Sequence, residues 1–159
     1  MLCDKRILVG LKGKVYRIVI RPAILYGLEC WPIKKAQAQR LMVAEMRMIR
    51  WMCDYMRMDR IINRVIRDLV KVAPIGDKMR EIRLKWFGHV KKSSVDAPVR
   101  SCERINIPEG KRDRGRLKKS LDEVIREDLK VVGLTEDLAQ NRKLWQDRIK
   151  ILDRRELTS

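Results

Sequence analysis

Apolar residues recur along this chain at steps of three and four, the period of an amphipathic helix, and the alternation of a half-buried strand is absent. Leu8, Leu11, Val15, Ile18 and Val19 mark a helix over residues 5–20. Pro22, with no N–H to donate, should end or kink it. Ile24 to Trp31 continues apolar, and Pro32 stops it. From Lys35 to Met56, the positions Gln37, Leu41, Ala44, Met48, Trp51 or Met52, and Tyr55 define one face of a long helix, with Arg40, Arg47 and Arg50 on its other faces. Asp59 is a candidate cap for a third helix, with Ile62, Val65, Ile66 and Leu69 as its buried stripe.

Ala73-Pro74-Ile75-Gly76 breaks the chain, and Asp77 caps a fourth helix reaching Val90, with Met79, Ile82, Trp86 and Val90 on its apolar side. Residues 93–119 hold no sustained period and predict an extended or flexible connection. Ser120-x-x-Glu123 is a capping box, followed by Leu121, Ile125, Leu129 and Val132 and closed by Gly133. Thr135 starts the last helix, with Leu138, Trp145, Ile149 and Leu152 apolar. The pattern thus predicts an all-α chain of 159 residues, a size that buries a modest core.

Charge changes the picture most. Lys and Arg number 38 against 21 Asp and Glu, a net +17, and a chain so basic repels itself unless a polyanion neutralises it. Residues 1–100 carry 23 basic and 9 acidic side chains. The basic groups order themselves on the expected helices. Arg60, Arg64, Arg67 and Lys71 follow steps of four, three and four on the third, and Arg80, Arg83, Lys85, Lys91 and Lys92 lie on the fourth. Lys111, Arg112, Arg114, Arg116, Lys118 and Lys119 form a basic arm. Solubility alone is ordinarily served by mixed signs, so near one-sign stripes point to phosphate binding.

Cys3, Cys30, Cys53 and Cys102 are spaced by 27, 23 and 49 residues, with no C-x-x-C pair to grip a metal from one turn. They read as free, buried thiols in a reducing compartment, and no zinc or other cofactor is expected. No apolar run approaches a membrane span, and the expectation is a soluble nuclear or cytoplasmic protein. His89, the single histidine, has no orienting carboxylate or nucleophile in any recognisable motif, so it reads as a phosphate or base contact rather than a catalyst. The pair Gly88-His89 is expected to end or bend its helix. The acidic pairs Asp122-Glu123, Glu127-Asp128 and Glu136-Asp137 read as helix-start charges or a solvated face.

Three strings carry a family resemblance: RPAILYGLECWP at Arg21 to Pro32, REIRLKWFGHVKK at Arg80 to Lys92, and the basic segment centred on Arg114-Gly115-Arg116. In this order they resemble the C-terminal part of LINE-type (non-LTR) retrotransposon reverse transcriptases, especially those abundant in plants, from about Leu2 to about Ile151. The resemblance implies a thumb-like helical region at 1–73, a basic Trp- and His-containing helix at 74–92, a basic linker at 93–119 and a C-terminal helical pair at 120–159. It implies that Tyr26, Gly27, Glu29 and Trp31 build or seat the thumb, with Tyr26 and Trp31 themselves read as core residues for their buried area. In the family a turn of the form aromatic-x-Asp-Asp, upstream of the matched part, holds the two metals of polymerisation. No Asp-Asp pair occurs here, and Leu117 stands where the family has proline.

The expectation is therefore a piece of such an enzyme without its catalytic palm, holding RNA, RNA-DNA or DNA duplex by backbone phosphates. The rival expectation is a stand-alone helical adaptor that binds protein through Trp86 and Trp145, its charge incidental.

Overall fold

The computed structural model describes residues 6–94, 96–100, 120–151 and 153. It is all-α, with no strand among the described residues. In chain order the helices are α1 (Val9–Val15), a π turn (Tyr16–Ile20), α2 (Arg21–Leu25), α3 (Lys35–Met52), α4 (Asn63–Val70), α5 (Ile75–Lys92), α6 (Leu121–Val132) and α7 (Arg142–Ile149). Single 3-10 turns at Arg57–Asp59 and Glu136–Gln140 precede α4 and α7. None of these helices is long and apolar enough to cross a membrane.

Pro22 does not break the first helix. The wider π turn lies immediately before α2, and the Arg21 N–H reaches back to the Tyr16 carbonyl, so the missing Pro22 N–H is absorbed by a change of pitch. The buried side of this first helical run also differs from the expected one. Leu8, Leu11, Ile18 and Val19 are exposed, while Lys12, Tyr16 and Arg21 are buried.

Two of these buried polar side chains, Lys12 and Tyr16, have a partner on α3. Lys12 Nζ donates to the Met52 carbonyl (2.8 Å), closing the end of α3, and Tyr16 donates to Glu45 Oε1 (2.8 Å). Glu45, fully enclosed, also accepts from Arg67 (3.0 Å) and from the Ile75 N–H at the start of α5 (3.2 Å). One carboxylate therefore ties four segments, which is how buried charge is tolerated. Around it pack Tyr16, Met46, Ile49, Met52, Ile66, Val70 and Val72.

The α3 face in this core is Glu45, Ile49 and Met52, with Met48 and Tyr55 half-buried against it. Of the expected face, Met52 rather than Trp51 is the buried alternative, Leu41 packs with Leu25, Ile75 and Met79, and Gln37 and Ala44 are exposed. The helix stops at Met52, and Asp54 takes a left-handed φ of 61°. Asp59 does not cap α4. It accepts from the Met56 N–H (2.6 Å) and closes the 3-10 turn, Arg60 follows at φ 52°, and α4 begins only at Asn63. This late start rotates the expected stripe: Ile66 and Val70 are buried, whereas Ile62, Val65 and Leu69 are exposed.

A second core joins α5, α6 and α7 through Leu84, Phe87, Ile125, Leu129, Leu134, Ala139, Trp145 and Ile149. The capping box holds as read, with Glu123 N–H donating to Ser120 Oγ (3.2 Å) and Ser120 N–H to Glu123 (3.2 Å). Gly133 ends α6 at φ 71°, a left-handed conformation that suits glycine. Asn141, not Thr135, caps the last helix, accepting from Leu144 N–H (3.2 Å). Of the connection expected at 93–119, residues 95 and 101–119 lie outside the described residues; residues 98–100 are helical, and Arg100 donates to the carbonyls of Val90 and Lys91 at the end of α5. The chain end then crosses back. Ile151 N–H donates to Glu81 (3.1 Å), and Asp153 accepts from Arg21 (2.9 Å) and from the Ala73 N–H (2.7 Å).

Candidate nucleic-acid interface

Helix α5 is the spine of the site because its two sides do different work. Leu84, Phe87 and Val90 are buried, and Gly88 lets the helix run through uninterrupted to Lys92 against the Trp145 indole, correcting the expected bend at Gly88-His89. On another face, Ile82, Lys85, Trp86, His89, Lys92 and Ser93 recur at helical spacing and line one wall of an open cleft of about 990 Å³. Arg21, Pro22, Leu25, Tyr26 and Glu29, from α2 and the turn after it, form the opposite wall. Arg142, Trp145 and Gln146 of α7 close one side.

The turn explains the exposure of Tyr26. Helix α2 ends at Leu25, Tyr26 adopts ψ 126°, and Gly27 follows at φ 76°, so the ring leaves the core and is 88% exposed. Trp31 is exposed as well. The expectation that both are core residues is therefore corrected: local backbone, not hydrophobicity, sets their place.

The cleft's cations fall into two groups. Among the described residues, Lys85, Lys92 and Arg142 have no carboxylate within ion-pair distance and the His89 ring makes no hydrogen bond. Burial, and secondarily the neighbouring Arg142, hold the Lys92 ammonium below the usual lysine range. Two cations so placed repel until an anion enters between them. Arg21, on the cleft wall, is engaged by Asp153 and the Ala73 carbonyl (3.0 Å), and its buried Nε–H has no acceptor among the described residues. Among the described residues, Glu29 is the one carboxylate lining the cleft.

The other basic residues singled out in the sequence fare differently. Arg60 lies in a loop, Arg64 is exposed on α4, Arg67 is engaged with Glu45, and Lys71 caps α4 at φ 56°, so the four do not form one helical stripe. Arg83 is buried in an ion pair with Asp128 of α6 (2.7 Å), and Arg80 bonds Asp77 (3.2 Å) and approaches Asp128 (3.6 Å). Both hold α5 to its neighbours, and Asp128 belongs to the core rather than to a solvated face. Lys91 sits over the Phe87 ring (5.2 Å) and near Glu136 (3.7 Å).

Lys111, Arg112, Arg114, Arg116, Lys118 and Lys119 lie outside the described residues. Arg142 was missed because its neighbourhood in sequence is near neutral; nothing in the local pattern links it to α5. Cys30 and Cys53 are free thiols, but Cys30 is exposed and Cys53 half-buried where burial was expected, and Cys3 and Cys102 lie outside the described residues. Among the described residues no group of His, Cys, Asp and Glu is placed to hold a metal ion.

Compared with protein-family models, with curated proteins and with solved structures, the chain finds no match.

Proposed function

We propose that this chain is a helical nucleic-acid-holding module, corresponding to the thumb and downstream extension of a LINE-type reverse transcriptase, that grips template and primer by their backbones and performs no polymerisation itself. The observation that carries the reading is the cleft, where Lys85, Lys92 and Arg142 stand without acidic partners among the described residues, beside exposed aromatic surface, in a chain of net +17. Cations kept free of carboxylates on one wall suit a polyanion, and aromatic rings beside them suit bases. The strings around Tyr26 and Trp86 that resemble the family are the ones that line this cleft.

The test is a salt titration of binding to a labelled RNA-DNA duplex and to single-stranded RNA. Lys85, Lys92 and Arg142 replaced together by glutamine should flatten the slope of log affinity against log salt by roughly two units, at about 0.7 to 0.9 per lost phosphate contact. Salt-insensitive binding by the native chain would overturn the reading.

A protein-binding adaptor is the second reading, favoured by the exposed Leu8, Leu11, Ile18 and Val19 on the first helical run and Ile62, Val65 and Leu69 on and before α4. Trp145, only 1% exposed, contributes no face to it. Nuclease treatment during purification separates the two, since nucleic acid carried through and released by salt supports the first.

A further inference from the structure

We propose that the cleft between α2, α5 and α7 receives one unpaired nucleotide, its base against Tyr26 and Trp86 and its phosphate between Lys92 and Arg142. The inference rests on the nucleic-acid reading above and narrows it to single strands or frayed ends. In a duplex both faces of each base are covered by neighbours, so an aromatic side chain stacks only on a base that has left the stack. Tyr26 is 88% exposed at the lip, held out by the Gly27 turn, and Trp86 is half-buried on the facing helix.

The polar groups divide along the same line. Lys92 and Arg142 make a cationic end without a carboxylate partner among the described residues, which fits a phosphate. Glu29, on the α2 side with Tyr26, is an acceptor that repels phosphate and suits a base N–H or a sugar hydroxyl. The volume, about 990 Å³, lies at the upper end of the roughly 300–1,000 Å³ range of small-ligand pockets, so a mononucleotide unit fits without rearrangement of the core.

The experiment compares the full chain and its Tyr26→Ala variant on three labelled probes at one salt concentration: a 12-nucleotide oligo-U, the same strand abasic at every position, and a duplex of equal length closed at both ends by non-nucleotide linkers. Tyr26 touches solvent rather than core, so the variant should keep the native circular dichroism spectrum. Tyr26→Ala is expected to weaken oligo-U binding by roughly 5- to 150-fold, the range for a single base–aromatic stack. It should change duplex and abasic-strand affinities by less than about twofold, because neither offers a free base, and leave the salt slope unaltered.

Lys92→Gln with Arg142→Gln should lower oligo-U affinity and flatten its slope by roughly 1.4. If Tyr26→Ala binds all three probes as the native chain does, the cleft is not a nucleotide pocket, while salt-dependent binding still supports the wider reading. If the native chain binds none of them, the wider reading falls and this inference with it. Equal loss on duplex and single strand would overturn the unpaired-base assignment.

Discussion

Gly88 on α5 and Trp145 on α7 are packed so closely that a Cβ at Gly88 would overlap the indole, coming within 2.9 Å of Cδ1 and colliding with Nε1. The same Nε1–H donates to the Leu84 carbonyl one turn earlier (3.1 Å), and Phe87 lies beside the ring with centroids 6.2 Å apart. A glycine inside a helix ordinarily costs stability, and here it permits the approach that fixes α7, and with it Arg142, against α5.

Gly88→Ala should therefore destabilise the fold despite alanine's better helix propensity. Overpacking of this kind costs about 1–3 kcal/mol. Urea denaturation followed by circular dichroism measures it, and a midpoint equal to or above the native one would contradict the close packing.

Arg83 and Asp128 provide a test of structural against binding roles. Arg83→Met alone leaves a buried carboxylate with one weaker partner and should cost about 3–5 kcal/mol, whereas Arg83→Met with Asp128→Leu removes both charges and should recover most of it. The double variant should bind nucleic acid with the native salt slope. A flattened slope would return Arg83 to the binding surface.

Glu45 is the junction of the first core, so Tyr16→Phe, which removes one of its donors without changing shape, should destabilise by about 1–3 kcal/mol. The Tyr16 hydroxyl is held above the usual phenol range, first by burial and then by the Glu45 charge. Its phenolate absorbance should consequently appear only as the protein unfolds in alkali, and ultraviolet titration of the native protein and the Tyr16→Phe variant would show whether one tyrosine is missing from the early transition.

Lys92 gives the pH dependence its sign. Its folded pKa is lowered by burial and by Arg142, so between the folded and unfolded values the unfolded chain holds more protons and this group's contribution to stability rises with pH. Anion binding runs the other way, because it requires the ammonium. Affinity for oligo-U should begin to weaken at a pH below the ordinary lysine range near 10.4, and Lys92→Gln should remove that early limb. A native profile that superimposes on the variant's would exclude Lys92 from the contact.

The sequence by itself determined the elements whose signals are local. The all-α class follows from apolar spacing, and the Ser120–Glu123 box and the Gly133 end of α6 follow from groups three residues apart or from one φ angle. Periodicity also located α5, although the helix starts at Ile75 behind Pro74 and Asp77 lies in its first turn instead of capping it, whereas the joining of Lys85, His89 and Lys92 on one wall is seen only in the folded chain. What it could not determine was phase and pairing.

Leu8, Leu11, Val65 and Leu69 repeat as a core stripe does, yet the buried side of those helices carries Lys12, Tyr16 and, beside the expected Ile66, Val70, because partners 22 to 40 residues away satisfy the polar groups there. Arg67 and Arg83 look like phosphate ligands in a one-dimensional reading, and only the folded chain brings Glu45 and Asp128 to them. The cleft is likewise tertiary. Tyr26, Lys92 and Arg142 are separated by 50 residues or more and become one site because Gly88 admits Trp145, and a single missing Cβ sets the distance between two helices.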